Sequence, residues 1–397
     1  MATRYDRDGG GAAARLTVAT SLNAFTRDEW ARLAGTARGD KAFNPFISYD
    51  FLSALEESGC ATRRTGWLGQ HLRLESADGK LLGAAPCYLK SHSQGEYVFD
   101  YGWADAFERA GGRYYPKLQV SVPFTPVTGP RLLVSRDADG GAVRHALAEG
   151  LKTLTDRLGV SSVHVTFAPE TEIDVLDDAG FLVRTDQQFH FFNEGYGSYQ
   201  EFLETLASRK RKALKKERRA AVESGIEIDW LTGSDLTEAA WDDFFAFYMD
   251  TGSRKWGRPY LNRRFFSIIG ERMADDILLV MARRAGRYIA GAINFIGSDA
   301  LYGRNWGAIE HHPFLHFEVC YHQAIEFAIA KGLKRVEAGA QGEHKLARGY
   351  LPVATRSAHY IAHPDLRRAV AEYLAQERSE VEAIGELLAE HSPYRKE

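Results

Sequence analysis

Residues 288–306 read Tyr-Ile-Ala-Gly-Ala-Ile-Asn-Phe-Ile-Gly-Ser-Asp-Ala-Leu-Tyr-Gly-Arg-Asn-Trp. The stretch predicts two strands, 288–296 and 300–306, because short apolar runs rich in β-branched and aromatic residues suit a sheet. Ala290-Gly-Ala-Ile293 enters the first strand, which leads to Tyr302-Gly303 with Trp306 close behind. An earlier stretch echoes this order: Leu82-Gly-Ala-Ala85 enters a strand that leads to Tyr101-Gly102-Trp103. Each is followed by a helical pattern and a short strand. These are Ala146–Leu151 through Val163 in the first half and Gln323–Phe327 through Val336 in the second. The match is weak residue by residue. As an order of elements it implies an internal duplication, at a period far longer than any solenoid repeat. The expected fold is α/β with mixed sheets, in two similar halves at 16–186 and 187–364. A flexible tail is expected over 1–15, where Gly9-Gly10-Gly11 falls, and a charged C-terminal helix over 365–397.

Outward from these anchors, further strands are predicted at 71–75, 81–89, 96–100, 163–167, 277–283, 336–338 and 356–361. Helices are predicted at 140–158 and 315–331. Ser198-x-x-Glu201 is a capping-box signature. Tyr199, Phe202, Leu203 and Leu206 then fall on one helical face, so a single helix is expected to run to about Glu223 and stop at Gly225. Trp241, Phe244, Phe245 and Tyr248 repeat the spacing in a second helix. The aromatic and proline-rich stretch from Tyr114 to Gly129 reads as a long loop, a kind of segment that is usually functional.

Composition narrows the classes. The chain has 397 residues, 45% hydrophobic and 12% aromatic, which excludes wholesale disorder. Fifty Lys+Arg nearly balance 53 Asp+Glu, so a globally basic nucleic-acid binder is excluded. Three widely spaced cysteines, Cys60, Cys87 and Cys320, make neither a disulfide framework nor a zinc ribbon. Arg4, Asp6, Arg7 and Asp8 do not read as a secretory leader. No window approaches the ~18 apolar residues of a membrane span. A cytoplasmic protein is expected.

Three constellations carry chemistry. Arg209-Lys210-Arg211-Lys212-Ala-Leu-Lys215-Lys216-Glu-Arg-Arg219 has net charge +7, against −3 for the whole chain, which leaves −10 for the rest. Eleven helical residues span about 16 Å, enough to meet several phosphates of a polyanion. Gly339-Ala-Gln341-Gly342-Glu343-His344-Lys345-Leu-Ala-Arg348-Gly349-Tyr350 follows a short strand and packs carboxylate, imidazole, ammonium and guanidinium groups within eight residues. His344 or Glu343 suits proton removal from an attacking amine. Lys345 and Arg348 suit a phosphate, a carboxylate or a developing oxyanion. The third constellation joins Tyr302, Arg304 and Trp306 to His316 and Glu318, at the start of the next helix. No metal site is expected, since His-Glu-x-x-His is absent and His312 and His316 straddle a proline. In the first half, Tyr101, Lys117 and their aromatic neighbours form a candidate binding wall.

Taken in order, these segments resemble the FemAB-like family of peptidoglycan biosynthesis/recognition proteins, predicted N-acyltransferases of the GNAT superfamily. The resemblance rests on N-P-F-x-x-x-x-F-L-x-A-L-E at 44–56, H-S-x-G-E-Y-V-F-D at 92–100, Y-Y-P-K-L at 114–118 and V-P-F-T-P-V-T-G at 122–129. It continues with S-R-K-R-K at 208–212, K-W-G-x-P-Y-L at 255–261, L-H-F-E at 315–318 and the Gly-rich stretch at 339–350. It implies two GNAT-like halves and transfer of an acyl or aminoacyl group to a small-molecule or peptide amine. The implied donors are acyl-CoA or aminoacyl-tRNA, with no permanently bound cofactor. A Q/R-x-x-G-x-G/A pyrophosphate loop is missing, since no glycine lies between Gly307 and Gly332, and this favours aminoacyl-tRNA or another carrier over CoA.

The expected mechanism is direct attack by a neutral amine on an ester or thioester carbonyl. His344 is the expected base, with Glu318 or Glu343 as its substitute. Tyr302 is the expected proton donor to the leaving group. Lys345 and Arg304 are expected to steady the oxyanion or a donor phosphate, with Arg348, Trp306, His316, Gln341, Tyr101 and Lys117 binding substrate. Arg209, Lys210, Arg211, Lys212, Lys215, Lys216 and Arg219 are the expected polyanion-binding residues, with tRNA as a candidate polyanion. The alternatives are a non-catalytic module that recognises a peptidoglycan precursor or RNA, and, third, an adaptor to an anionic membrane surface.

Overall fold

The computed structural model describes residues 3–5, 14–36, 40–255, 259–339 and 342–395. It divides into two compact units. The first holds the described residues up to Asp186 together with Thr355–Val381, and the second holds Gln187–Ala354 with the residues from Glu382 onward.

Among the described residues, the first unit is built from strands and helices of the first half, with the end of a late strand and most of the last helix. Its strands are β1 (Thr3–Tyr5), β2 (Ala14–Ala19), β3 (Trp67–Gly69), β4 (His71–Glu75), β5 (Leu81–Ala85), β6 (Cys87–Lys90), β7 (Lys117–Val120), β8 (Leu133–Val134), β9 (Ser162–Thr166) and the start of β10 (Leu182–Phe192). Its helices are α1 (Arg27–Ala34), α2 (Tyr49–Glu57), α3 (Tyr101–Arg109), α4 (Gly140–Leu158) and α5 (Glu170–Asp178). One sheet has the order β1-β2-β4-β5-β8. In a second, β3, β6, β7 and β9 are joined on the β9 side by the last residues of β16 (Leu351–Ile361). β7 and β9 are parallel, with α4 as the crossover between them. Asp139 caps α4 by accepting from Gly141 and Ala142, and Gly159 ends it in the left-handed region.

Strand alternation gives this second sheet two unlike faces. Leu118, Val120, Val163 and Val165 are buried in one apolar core with Leu147 and Leu151 of α4. The intervening Lys117, Gln119, Ser162, His164 and Thr166 are also buried, with Ser357 and His359 from β16. Lys117 Nζ donates to Glu96 at 2.7 Å and also to Asp100, and Tyr114 donates to Asp100 at 2.7 Å. His164 and His359 share a hydrogen between their Nδ1 atoms at 2.7 Å. Burial pushes His164 down to about 3 and His359 well below its usual range, so both are neutral. Lys117 is therefore a core ion-pair partner rather than part of an open binding wall, whereas Tyr101 is 49% exposed.

Several local expectations need correction here. Residues 96–100 form no strand; they are irregular, and Glu96 and Asp100 turn inward to Lys117. Tyr101-Gly102-Trp103 opens helix α3 rather than closing a strand. The aromatic stretch expected as a loop contains β7. In the tail, Thr3–Tyr5 pair with Ala14–Leu16, where a flexible segment was expected.

The second unit takes the end of β10 with β11 (Ile226–Leu231), β12 (Ile277–Arg284), β13 (Arg287–Ile296), β14 (Ala300–Ala308) and β15 (Arg335–Glu337), in the order β11-β12-β13-β14-β15-β10. Its helices are α6 (Tyr199–Thr205), α7 (Ser208–Val222), α8 (Glu238–Lys255), α9 (Arg263–Arg272), α10 (Leu315–Phe317) and α11 (Gln323–Ala330). A π-helical turn, Glu318–His322, joins α10 to α11. The last helix, α12 (Pro364–Glu390), begins in the first unit and ends in the second. β14 and β15 are parallel and their crossover is the α10–α11 helix, the same order as β7, α4 and β9. The structural counterpart of Tyr302 thus lies on β7, not at Tyr101. Along β14, β15 pairs with Ala300–Tyr302, and β14 runs on to Ala308 beyond it.

The single helix expected from 198 to 223 is two. Leu206 leaves the helical region and forms a bridge with Tyr394, and the Ala207 amide donates to Pro393 O at 3.0 Å. A tertiary partner takes the backbone groups that would have continued the helix. Among the described residues, no helix is long and apolar enough to cross a membrane, and no group of three His, Cys, Asp or Glu side chains is placed to hold a metal.

Candidate functional site

β15 ends at Glu337, and the chain turns through Gly339 and Gly342 into a 3-10 helix, Glu343–Arg348. Gly342 has φ of 110°, and a Cβ there would meet the His344 ring at 2.4 Å. Only glycine fits, so the turn and the His344 position are specified together. His344 is exposed on one side. Its Nε2 lies 3.1 Å from the Tyr321 hydroxyl, and its ring lies beside Phe317 and His316. Partial burial lowers its pKa first, and the positive Arg348 and Lys345 lower it further. It is therefore neutral at pH 7, the form that accepts a proton.

Lys345 holds the turn. Its Nζ donates to Ala338 O at 2.7 Å and Gly339 O at 3.0 Å, and burial lowers its pKa to about 8. Arg348 donates to His344 O at 2.6 Å and grips both oxygens of Glu217 at 2.8 and 2.7 Å. Its guanidinium stacks 3.5 Å over Phe317. Glu217 also meets His322 at 2.8 Å, and His322 meets the Tyr199 hydroxyl at 2.7 Å. Burial works to raise the Glu217 carboxyl, but hydrogen bonds from His322 and Arg348 outweigh it and hold it below its usual range. These contacts tie α7, which carries Glu217, to the turn that carries His344.

Two expected roles do not fit this geometry. Glu318 is buried, and both of its oxygens accept from Arg218, with Gln323 adding a further bond at 2.7 Å. A carboxylate so engaged is no substitute base. Tyr302 is 2% exposed on β14, and burial pushes its hydroxyl well up, so it is closed off from a leaving group. Lys345 and Arg348 spend their hydrogen bonds on the turn and on Glu217, which makes them positioning groups. Gln341 lies outside the described residues, as does the Glu343 side chain. Tyr101 and Lys117 belong to the first unit and the rest to the second.

His316 and Trp306 do come together, their rings 5.2 Å apart. Both line a cavity of about 660 Å³ with Phe317 and Leu315. Arg304 is half-buried on the same strand, β14. Sequence reading missed Tyr321, the group that touches His344, and treated Glu217 only as a charge to be subtracted. Phe317 and Tyr321, four residues apart and stacked, were the available signal.

Helix α7 presents the basic run. Leu214 and Ala221 are buried, while Arg209, Lys210, Lys212, Lys215, Lys216 and Arg219 are exposed and Arg211 is half-buried. Arg218 alone turns inward, to Glu318 and Glu326, over the Tyr199 ring. Among the described residues, no ion pair engages the other seven cations. The first turn of α7 contains no acid, so Arg209 and Lys210 sit against the positive end of the helix dipole, an unfavourable placement. Lys210→Glu is expected to raise unfolding stability by about 0.3–1 kcal/mol while weakening binding of a polyanion. Chemical denaturation and a salt titration of binding measure the two effects, and a stability loss would contradict the reading.

A family model described as peptidoglycan biosynthesis/recognition, FemAB-like, matches residues 21–396. No curated protein gives a significant match. Among solved structures, FemX is similar at 11% identity and a TM-score of 0.54, over 87% of this chain and 98% of that one. L-PGS from Bacillus licheniformis is similar at 9% identity and 0.49, over 81% and 95%. A tandem GNAT protein from the clavulanic acid biosynthesis pathway is similar at 12% and 0.45, over 88% and 99%. The expected fold class holds as mixed α/β with mixed sheets, in a fold similar to that of FemX, with a long helix toward the C-terminus.

Proposed function

The chain belongs to the FemAB-like family, and from that premise we propose that it is an N-acyltransferase that moves an acyl or aminoacyl group from a polyanionic carrier to an amine of a peptidoglycan precursor. The observation that supports the reading is the continuity of contacts from α7 through Glu217 and Arg348 to His344. The seven outward cations of α7 would hold the carrier's phosphates, and the residue that carries a neutral imidazole is tied to the same helix through Arg348 and Glu217.

In this reading the neutral amine attacks the carbonyl of the donor ester or thioester. A C–N bond forms and the C–O or C–S bond to the carrier breaks. His344 takes the proton shed by the amine, directly or through the Tyr321 hydroxyl, and returns it to the departing oxygen or sulfur, so the reaction balances with no other reactant. Positioning by the Lys345 and Arg348 contacts contributes by holding the turn still. The carrier is aminoacyl-tRNA or acyl-CoA, and the absence of a glycine-rich pyrophosphate loop favours the former.

Thermal unfolding with each carrier at two salt concentrations tests the carrier. A ligand at about 100 times its Kd adds ~2.7 kcal/mol. The expected result is a shift with tRNA that shrinks as salt rises. A shift with neither carrier would overturn the donor side of the proposal. A second reading, a binding module without turnover, draws on the engagement of Glu318 and Tyr302, which leaves His344 with Tyr321 as the catalytic pair. A module of that kind has no rate to titrate.

A further inference from the structure

We propose that the cavity beside His344 receives the transferred acyl group and selects apolar groups, aliphatic or aromatic, over small polar and charged ones; this rests on the transferase reading above. Its volume, about 660 Å³, falls within the ~300–1,000 Å³ of small-ligand pockets. Its walls include Trp306, Ile309, Phe314, Leu315, His316 and Phe317. Phe317 and His316 also flank His344, at ring separations of 5.5 and 6.4 Å. Phe317 and His316 are thus shared between the cavity and the surroundings of His344, and a carbonyl held on their side of the imidazole would place its substituent at the cavity.

Two features mark the lining as a receptor for apolar matter. Ile309 and Phe314 are 45% and 44% exposed, apolar surface left in water where it could have been covered. Phe314 has φ of 63°, an unfavourable backbone for a bulky residue and of a kind concentrated at ligand sites. The lining also holds Thr251, Glu310, His311 and His312, and its carboxylate is already engaged. Glu310 accepts from Arg284 at 2.9 Å, from Arg287 at 3.1 Å and pairs with His312 at 3.0 Å. A side-chain ammonium entering here, as on a lysyl group, would lose its hydration and find that carboxylate taken, whereas the α-ammonium common to all aminoacyl groups stays next to the carbonyl, outside the cavity. An apolar group would displace water from Trp306, Ile309 and Phe314.

The test measures equilibrium binding of one tRNA body, uncharged or carrying amide-linked leucine, phenylalanine, glycine or lysine. Matching measurements use CoA, acetyl-CoA and octanoyl-CoA. The leucyl and phenylalanyl forms, or octanoyl-CoA if CoA is the carrier, are expected to bind at least tenfold more tightly than the glycyl, lysyl, acetyl and unacylated forms. Trp306→Ala should erase the difference between leucyl and glycyl forms. Ile309→Ser, at an exposed position that folding tolerates, should reduce it. Equal binding of all acyl forms to a carrier that does bind would overturn the pocket assignment alone. Binding of neither carrier would overturn the transferase reading and this inference with it.

Discussion

His344→Ala is expected to lower kcat by about 10²–10⁴, the usual contribution of a positioned general base, while donor Kd stays within about twofold. The separation follows from where the residue sits. Its imidazole meets the Tyr321 hydroxyl and the aromatic rings of the α10–α11 helix, whereas the cations assigned to the carrier lie on α7. Equal losses in kcat and in donor binding would instead make it a binding residue. The sign of the pH profile is also fixed. Partial burial, then Arg348 and Lys345, lower the His344 pKa from its usual 6.5. The active form is neutral, so His344 contributes a loss of kcat/KM as pH drops through that lowered value, in addition to the higher limb set by deprotonation of the acceptor amine. A profile that lacks the lower limb would point to another group.

The second large effect is on the carrier. Reversing Lys212, Lys215 and Arg219 to Glu together is expected to reduce the slope of log affinity against log salt by about 2–3, at ~0.7–0.9 for each phosphate no longer neutralised. At 50 mM salt the affinity should drop by more than tenfold. All three side chains are exposed and none is in an ion pair among the described residues, so the fold is not expected to suffer. An unchanged salt slope would return α7 to the status of a solvated face. The variant leaves Glu217 and Arg218 in place, so the contacts that dock α7 persist.

What could be read from the chain and what could not follows the range of the interactions. β13 and β14 were legible because their apolar runs are local, and the turn after β15 was legible because of its glycines. The break between α6 and α7 was not, since its cause is a backbone bridge from Leu206 to Tyr394, far along the chain. Lys117 looked like a ligand-binding group because nothing near it in sequence revealed that Glu96 and Asp100 fold over it. Glu318 looked like a spare base because Arg218, 100 residues away, is what occupies it. Tyr321 escaped notice for a different reason: its pairing with Phe317 four residues earlier reads as ordinary helix packing, and nothing local ties it to His344, 23 residues further on. The duplication was legible as an order of elements but in the wrong register, because β7 is hidden in a proline-rich stretch.

The most direct measurement is of amide formation. The protein is incubated with a carrier bearing a labelled acyl group and with amine-containing peptidoglycan precursors, and the products are separated from the carrier. The account predicts labelled amide, formed at a rate that collapses in His344→Ala. A carrier that binds with the expected salt dependence but yields no amide at any pH would contradict it, and would leave a module that recognises its ligands without joining them.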